Sequence, residues 1–311
     1  MASDLQGLKR KIKGPVYPIP PAFNEDHSID FDSIRNYVNF LNSKNVRTIM
    51  ITAGTSRFNL LTEEEIREFN RVVVEANQKK AITIAANPMV GSTQKAVEFA
   101  KYAEQIGADS ILLYYSERYY NDDRIISFFE SIAQAVDIGL LIHGLPMRSA
   151  YAGVSPTTQF SVGLCKRLLE IDNLIGMKEE SGNENLRYKL ATNLSERMAI
   201  IVAGGSMRKF LSCVLFGVQS YLVGVGSFVP DIEEEFYNAV ERQDYQGALK
   251  IVKKYEEPFF DVAFPMGWHI AMKGAMSLLG LMPVRERPPL QQAEAGEMEG
   301  IAKILETMHF K

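Results

Sequence analysis

The 311-residue sequence predicts an α/β fold, a (β/α)8 barrel of eight parallel strands. The chain alternates short apolar runs with amphipathic stretches, and these units recur at intervals of roughly 20 to 35 residues, as in βα repeats. Eight such units precede a region whose pattern is wholly helical. The alternative, an open doubly wound sheet, normally has a glycine-rich phosphate loop after its first strand. Residues 18–21 (PIPP) are not such a loop.

Each predicted strand is a short, mostly apolar run, and helical spacing or capping signals mark the segments between them. The strands are expected over residues 15–23, 46–53, 81–86, 110–115, 138–143, 174–178, 199–203 and 220–225. The helices are expected over residues 29–41, 62–76, 93–106, 124–136, 157–169, 186–194 and 207–216. Residues 62–65 (TEEE) form a capping box. The sequence thus predicts a barrel domain over residues 14–240 and a C-terminal helical extension over residues 241–311.

Composition and charge argue against several classes of function. The net charge is −4 and the isoelectric point about 5.7, which gives no reason to expect nucleic-acid binding. No apolar signal core or membrane-spanning run occurs, so a soluble cytoplasmic protein without a membrane partner is expected. Cys165 and Cys213 lie in apolar helical contexts and are expected to be buried thiols of a reducing compartment. His27, His269 and His309 are isolated, so no metal site is predicted.

Lys178 is the first candidate functional residue that the pattern indicates. It ends the buried apolar run of residues 174–178, and burial disfavours the charged form of a lysine. A lysine with a lowered pKa is an amine nucleophile that can form a Schiff base with a carbonyl compound. The alternative is a side chain that extends from the strand end to solvent, and spacing alone leaves both interpretations open. Residues 181–184 (SGNE) follow as a capping box that is expected to open the next helix.

The other candidates follow from the fold class. The active sites of (β/α)8 barrels lie at the C-terminal ends of the strands, so residues at those ends are site candidates. They are residues 53–57, residues 114–117, His143, Lys178, residues 204–205 and residues 223–227. Leu222, in the eighth strand, is also expected to contact a substrate.

Several segments of the chain match one set of family motifs. Residues 176–182 (GMKEESG) match the pattern G-[IM]-K-[ED]-x-S-G, which is the most specific of these motifs. Residues 53–58 (AGTSRF), with Leu61 and Thr62, align with a second-strand motif. Further matches are residues 107–109 (GAD), 143–146 (HGLP), 224–230, and 284–285 with 288–290. Over nearly its whole length, the chain resembles the dihydrodipicolinate synthase and N-acetylneuraminate lyase family of pyruvate-handling class I aldolases.

The resemblance implies a Schiff-base mechanism without a cofactor. Lys178 would attack the ketone of pyruvate, and the imine would act as electron sink and become an enamine. The enamine would add to an aldehyde, or the reverse reaction would cleave a 2-keto acid. The family binds the pyruvate carboxylate through a threonine of the second-strand motif, which is Thr55 here, and through adjacent backbone amides, here at Gly54 and Ser56. A homo-oligomer, either a dimer or a tetramer, is implied as well.

The chain departs from the family pattern at the proton relay. An ungapped alignment places His143 where the family has the relay tyrosine, and Gly54 where it has the relay threonine. His143 is either an alternative acid and base, since imidazole titrates near neutral pH, or a packed histidine in a site that has lost its relay. Glu117 aligns with the second relay tyrosine. Four tyrosines lie near this position, and the relay role cannot be assigned to any one of them: Tyr114, Tyr115, Tyr119 and Tyr120. The alternative is that these tyrosines contact another subunit.

Two arginines are candidate ligands for a further anionic group. Arg57 replaces the glutamate of the second-strand motif. It either binds an additional carboxylate or phosphate through its planar fork of donors, or pairs with Glu179 or Glu180. Arg148 stands where the synthases have the arginine that binds the carboxylate of the second substrate, and the alternative is a surface arginine.

Three functions remain compatible with these residues. The first is a Schiff-base lyase acting on pyruvate or a related 2-keto acid, with a site altered for a different second substrate. The second is 4-hydroxy-tetrahydrodipicolinate synthase of lysine biosynthesis. The third is a barrel without catalysis that binds a keto acid or regulates another protein. Retention of Lys178, Thr55 and Arg148 favours the first, the absent relay tyrosine and threonine argue against the second, and the intact lysine segment argues against the third.

Overall fold

The strands of the barrel follow one another in sequence order. The computed structural model describes residues 4–146 and 158–308 of the chain. Eight parallel strands form a closed barrel in which β8 is hydrogen-bonded to β1. They are β1 (Gly14–Pro18), β2 (Thr48–Met50), β3 (Ile82–Ala86), β4 (Ser110–Leu113), β5 (Gly139–Gly144), β6 (Leu174–Glu179), β7 (Ala199–Val202) and β8 (Ser220–Leu222). The predicted (β/α)8 fold is confirmed.

One helix lies before the first strand, and the others lie between the strands and after the last of them. In the described part of the chain they are α1 (Leu5–Lys11), α2 (Phe31–Ser43), α3 (Glu63–Asn77), α4 (Thr93–Gln105), α5 (Asp122–Ala133), α6 (Val162–Leu168), α7 (Glu184–Leu194), α8 (Met207–Leu211), α9 (Pro230–Glu241), α10 (Tyr245–Ile251), α11 (Glu257–Met266), α12 (Trp268–Leu278) and α13 (Ala295–Thr307). The capping box before α3 is confirmed. The Glu65 N–H donates to the Thr62 hydroxyl over 3.2 Å, and the Thr62 N–H donates to the Glu65 carboxylate over 2.9 Å.

The predicted capping box after Lys178 is wrong. Helix α7 begins at Glu184, and its cap is Asn183, whose side-chain oxygen accepts from the Leu186 N–H over 3.0 Å. The Ser181 hydroxyl instead donates to the Glu179 carboxylate and accepts from the Asn183 N–H. Because the serine is held by a buried carboxylate, the next residue with a short polar side chain caps the helix.

Two apolar layers enclose the sheet. One lies between the strands and the surrounding helices, and the other fills the barrel with side chains such as Val16, Met50 and Leu112. Ile12 belongs to the interior layer, and Leu5 and Leu8 of α1 pack against it. Helix α1 therefore closes the N-terminal end of the barrel, which leaves the C-terminal end for a site.

One extra residue in β6 sets the direction of the lysine. Leu140 pairs with Leu174, but Leu141 pairs with Gly176, so Ile175 has no partner on β5. Ile175 packs inside the barrel and Met177 in the outer layer. Strict alternation from Ile175 would have put Met177 inside and Lys178 outside. The bulge therefore turns Lys178 into the barrel.

The buried carboxyl of Glu233 in α9 makes stability depend on pH. Tyr221 donates to it over 2.6 Å and the Gly226 N–H over 3.1 Å. Burial nevertheless raises the pKa of Glu233 to about 8, against the opposing effect of the Tyr221 hydrogen bond. Between the unfolded pKa of about 4.3 and this value, the folded state binds more protons than the unfolded state. The contribution of Glu233 to stability therefore decreases as pH rises through that window.

We expect Glu233→Gln to remove this part of the pH dependence. In the wild type the free energy of unfolding should fall by about 1.4 kcal/mol for each pH unit of the window through this one group. Urea unfolding at several pH values measures the difference in slope between the two proteins. Glu235→Gln, an exposed carboxylate of the same helix, is the matched control and should leave the slope unchanged. Equal slopes for wild type and Glu233→Gln would contradict the prediction.

Candidate active site

A cavity of about 710 Å³ opens at the C-terminal end of the barrel. Its walls come from the ends of the strands and from the C-terminal helices α11 and α12. The described titratable residues that line it are Arg57, Tyr114, His143, Lys178, Glu180 and His269. Gly204, Gly205 and Val223, predicted from the seventh and eighth strands, line it as well.

Lys178 is buried and faces this cavity. Its side chain is 1% exposed, and its Nζ lies 3.0 Å from His143 Nε2 and donates to the Glu180 carboxylate. Burial lowers the pKa of the Lys178 ammonium, while the charge of Glu180 and its hydrogen bond act in the opposite direction. The alternative of a lysine that extends to solvent does not hold.

His143 lies directly across from Lys178 on the neighbouring strand β5. Its Nε2 is also 2.9 Å from Glu180 Oε2, and the Tyr114 ring packs edge-on against the imidazole at 5.6 Å between centroids. Burial, and next the positive charge of Lys178, lower the pKa of His143 to about 4. The imidazole is therefore neutral near pH 7, and packing alone does not account for its two polar contacts.

The same nitrogen of His143 faces both partners, and this restricts the proton positions. When Nε2 carries no proton, it accepts a hydrogen bond from the Lys178 ammonium. When Nε2 carries a proton, it donates that proton to Glu180. Transfer of a proton from Lys178 to Nε2 therefore changes the role of Nε2. It no longer accepts a hydrogen bond from the lysine and instead donates one to the Glu180 carboxylate.

Glu180 was not predicted as a site residue. Burial alone would raise the pKa of its carboxyl, but the hydrogen bond from His143 and the charge of Lys178 lower it to about 2. Glu179, its neighbour, points the other way and pairs with Arg187 over 2.6 Å. The sequence does contain a signal for Glu180. Residues two apart in a strand point to the same face, and Lys178 and Glu180 are two apart.

Two of the three second-strand residues that were predicted to bind the keto-acid carboxylate line the cavity. Gly54 and Thr55 line the cavity, as does Leu222 on the opposite side of β1. The Ser56 side chain is fully buried, and its hydroxyl donates to the Ile19 carbonyl over 2.6 Å. The hydroxyl is therefore occupied within the fold, and the Ser56 N–H, which was predicted to contact the carboxylate, donates to the Ala53 carbonyl over 2.9 Å. Arg148 lies outside the described residues.

The predicted alternative pairing of Arg57 is not found among the described residues. Glu179 pairs with Arg187, and Glu180 pairs with Lys178. Arg57 instead lines the cavity beside residues of α11 and α12, which shows that these helices cover the barrel mouth. The members of that wall are Phe264, Trp268 and His269.

The tyrosines after β4 diverge in position. Tyr114 lines the cavity, whereas the Tyr115 ring packs edge-on against Phe128 at 5.4 Å between centroids. Tyr120 and Glu117 are exposed. Tyr114 is therefore the tyrosine of this group that the fold brings to His143.

The described ranges 4–146 and 158–308 contain no group of three or more His, Cys, Asp or Glu side chains that could hold a metal ion. Among their helices, none has the length and apolar character that crossing a bilayer requires. Cys165 and Cys213 are free and buried, as predicted.

Comparison with known proteins shows the family to which the chain belongs. Residues 11–308 match the dihydrodipicolinate synthetase family. An uncharacterized DapA-like lyase of Pyrococcus abyssi is 27% identical, over 96% of this chain and 99% of that protein. The N-acetylneuraminate lyase of Mycoplasma synoviae has a similar fold, with a TM-score of 0.81 at 24% identity over 96% of this chain and 99% of that one. The dihydrodipicolinate synthase of Acinetobacter baumannii, solved in complex with pyruvate, gives 0.81 at 22% identity over 96% and 100%. The chain belongs to the dihydrodipicolinate synthetase family, a family of aldolase-type lyases.

Proposed function

We propose that this protein is a Schiff-base lyase that acts on pyruvate or a related 2-keto acid through Lys178, with His143 and Glu180 moving the protons. The observation that carries the proposal is the position of the Lys178 amine. It is buried at the cavity, at 3.0 Å from an imidazole that is neutral near pH 7. This arrangement supplies both a nucleophile and a group that accepts its proton.

The first step is deprotonation of Lys178. Its ammonium passes a proton to His143 Nε2, and the resulting imidazolium keeps that proton in a hydrogen bond to the Glu180 carboxylate. Loss of the lysine charge removes one of the causes that lower the pKa of His143. The imidazole therefore becomes a stronger base at the moment when it must hold the proton.

The free amine then attacks C2 of the keto acid. The carbonyl oxygen takes the proton from His143. The attacking nitrogen then loses a second proton to the same oxygen, which leaves as water when the protonated imine forms. Removal of a proton from C3 gives the enamine, which adds to an aldehyde. Run in reverse, the same steps cleave the bond between C3 and C4. Thr55, which lines the cavity, is the proposed ligand of the keto-acid carboxylate. The pyruvate complex of the Acinetobacter baumannii relative supports a 2-keto acid as substrate.

Reduction of the imine tests the proposal directly. The protein is incubated with pyruvate and borohydride, and the intact mass and the peptide that contains Lys178 are measured. We expect one reduced adduct, on Lys178. Absence of any adduct with pyruvate and with a series of longer 2-keto acids would reject the Schiff-base function and leave a binding or regulatory barrel.

We expect Glu180→Gln to shift the pH dependence of imine formation to lower pH. The charge of Glu180 and its hydrogen bond raise the pKa of Lys178, so removal of the charge lets burial lower that pKa further. Opposite charges at this range shift a pKa by about one to three units. The rate of borohydride trapping as a function of pH measures the shift. Glu184→Gln, an exposed glutamate at the start of the helix that follows β6, should not change the profile.

A further inference from the structure

We propose that Arg57 and His269 form a second subsite in the cavity, which binds an anionic group, a carboxylate or a phosphate, at the end of the substrate remote from its ketone. The natural substrate would then be a 2-keto acid, or an aldehyde partner, with a second anion. The proposal that this subsite binds part of the substrate rests on the proposed function. Binding of an anion at the subsite does not, because it requires no imine.

Arg57 is the charged residue of the described cavity lining that has no ion-pair partner there. Lys178 and Glu180, the other charged residues of the described lining, pair with each other. Arg57 makes no ion pair within the described residues, and its Nε is buried without a hydrogen-bond partner. A buried guanidinium nitrogen without an acceptor is costly, and the charge of Arg57 has no paired anion, which a ligand in the cavity would supply.

The backbone holds Arg57 in an unusual conformation. The residue lies between two short 3₁₀ turns, Gly54–Ser56 and Phe58–Leu60, with φ at 51° in the left-handed region. That conformation is unfavourable for a residue with a side chain and persists only where the surrounding structure fixes it. It directs the side chain to the cavity wall.

His269 of α12 supplies the second contact. Its Nδ1 is buried and has no hydrogen-bond partner, and the residue lines the same cavity. Burial, and next the charge of Arg57, lower the pKa of His269 to about 4, so the ring is neutral near pH 7 and has one N–H to donate. The adjacent Trp268 and Phe264 make this wall apolar, which strengthens a hydrogen bond to an anion.

The nearest carboxyl does not neutralise the subsite. Glu286 is close enough to Arg57 to act on its pKa, but the two make no ion pair. Glu286 also interacts with the buried Lys273, whose Nζ donates to the Pro21 carbonyl over 2.7 Å. Lys273 also interacts with Asp30, so Glu286 and Asp30 both act on Lys273, and neither forms an ion pair with Arg57 in the described part of the chain.

The subsite lies across the barrel from the amine. Arg57 follows β2 and Lys178 is in β6, and these strands are four apart in the closed order of eight. Strands four apart face each other across such a barrel. A ligand whose ketone meets Lys178 therefore extends its other end toward Arg57 and His269.

Fluorescence of the one tryptophan tests anion binding without any chemistry. Trp268 is the single tryptophan of the chain and lines the cavity beside His269. Succinate, inorganic phosphate and neutral succinamide are titrated into the wild type, Arg57→Gln and Arg35→Gln. Arg35, a half-exposed arginine away from the cavity that pairs with Asp32, is the matched control. We expect Arg57→Gln to weaken binding of the preferred anion about tenfold or more, while Arg35→Gln binds it as the wild type does. The stronger of succinate and phosphate identifies the anion. Equal affinities for the wild type and Arg57→Gln, or no anion binding by the wild type, would overturn the proposal.

Borohydride trapping connects the subsite with the substrate. 2-Oxoglutarate and 2-oxopentanoate have the same chain length but differ in the distal carboxylate, and 2-oxoadipate tests a longer reach. We expect the wild type to be trapped with a diacid at a concentration about tenfold lower than with the monoacid, and Arg57→Gln to lose this preference. A preference that survives in Arg57→Gln would overturn the subsite while the Schiff base stands. If no keto acid is trapped, the proposed function fails and the fluorescence titration still decides the subsite.

Discussion

Replacement of Lys178 by methionine is expected to abolish the borohydride-trapped adduct and to lower kcat/KM by a factor on the order of 10⁴ or more. Methionine keeps most of the length of the buried side chain but has no amine, so the covalent route is lost while the packing of β6 is largely retained. Intact mass after trapping and a continuous assay of keto-acid consumption measure the two effects. Lys44→Met, at the protein surface, is the control for the loss of one lysine.

The variant also removes the cation that pairs with Glu180. Because that carboxylate is half-buried, some loss of stability is expected, and the urea midpoint must show that the variant is folded under assay conditions. An adduct of unchanged yield on a folded Lys178→Met protein would place the nucleophile elsewhere.

Replacement of His143 by alanine is expected to slow imine formation by about 10²- to 10⁴-fold, without loss of the fold. The amine would then have the Glu180 carboxylate as its remaining polar partner. Loss of the His143 hydrogen bond raises the pKa of Glu180, but the charge of Lys178 still lowers it, so the carboxylate remains a weaker base than an imidazole. Trapping rates at several pyruvate concentrations measure the effect, and His27→Ala, at an exposed position, is the control.

Added imidazole separates a proton-transfer role of His143 from a packing role. The alanine variant leaves a space beside Lys178 that a free imidazole can enter. We expect imidazole to restore part of the trapping rate in His143→Ala and to leave the His27→Ala rate unchanged. A trapping rate in His143→Ala equal to that of the wild type would reduce the residue to packing.

The fold and the nucleophile were predictable for a simple physical reason. Alternating buried strands and amphipathic helices give the sequence a periodic pattern of apolar residues. A lysine at the end of a buried strand is an exception to that pattern and is therefore noticed. The relay was less predictable. The position of His143 followed from strand order, but its partner Glu180 required the alternation of side chains beyond the apolar run.

Features that depend on long-range contacts could not be predicted. The Ser56 hydroxyl binds the carbonyl of Ile19, and nothing near Ser56 in the sequence indicates this. Whether Arg57 is paired depends on Glu179 and Glu180 having other partners. The extra residue in β6 was hidden as well, since a strand buried on both faces shows no alternation from which a change of register can be detected.

That irregularity divides β6 into two halves with opposite phase. Before the bulge, the odd-numbered side chain of Ile175 points into the barrel and packs in its apolar interior. After the bulge, the even-numbered side chain of Lys178 points inward, toward the cavity. Gly176, at the junction, has no room for a side chain, because a Cβ there would lie 2.9 Å from the Ala199 carbonyl oxygen. The direction of Lys178 therefore depends on the number of residues between the bulge and the lysine. One residue inserted there would bring Glu179 into the cavity and leave the amine among the outer helices, whereas loss of the extra residue would restore strict alternation and keep the amine inside.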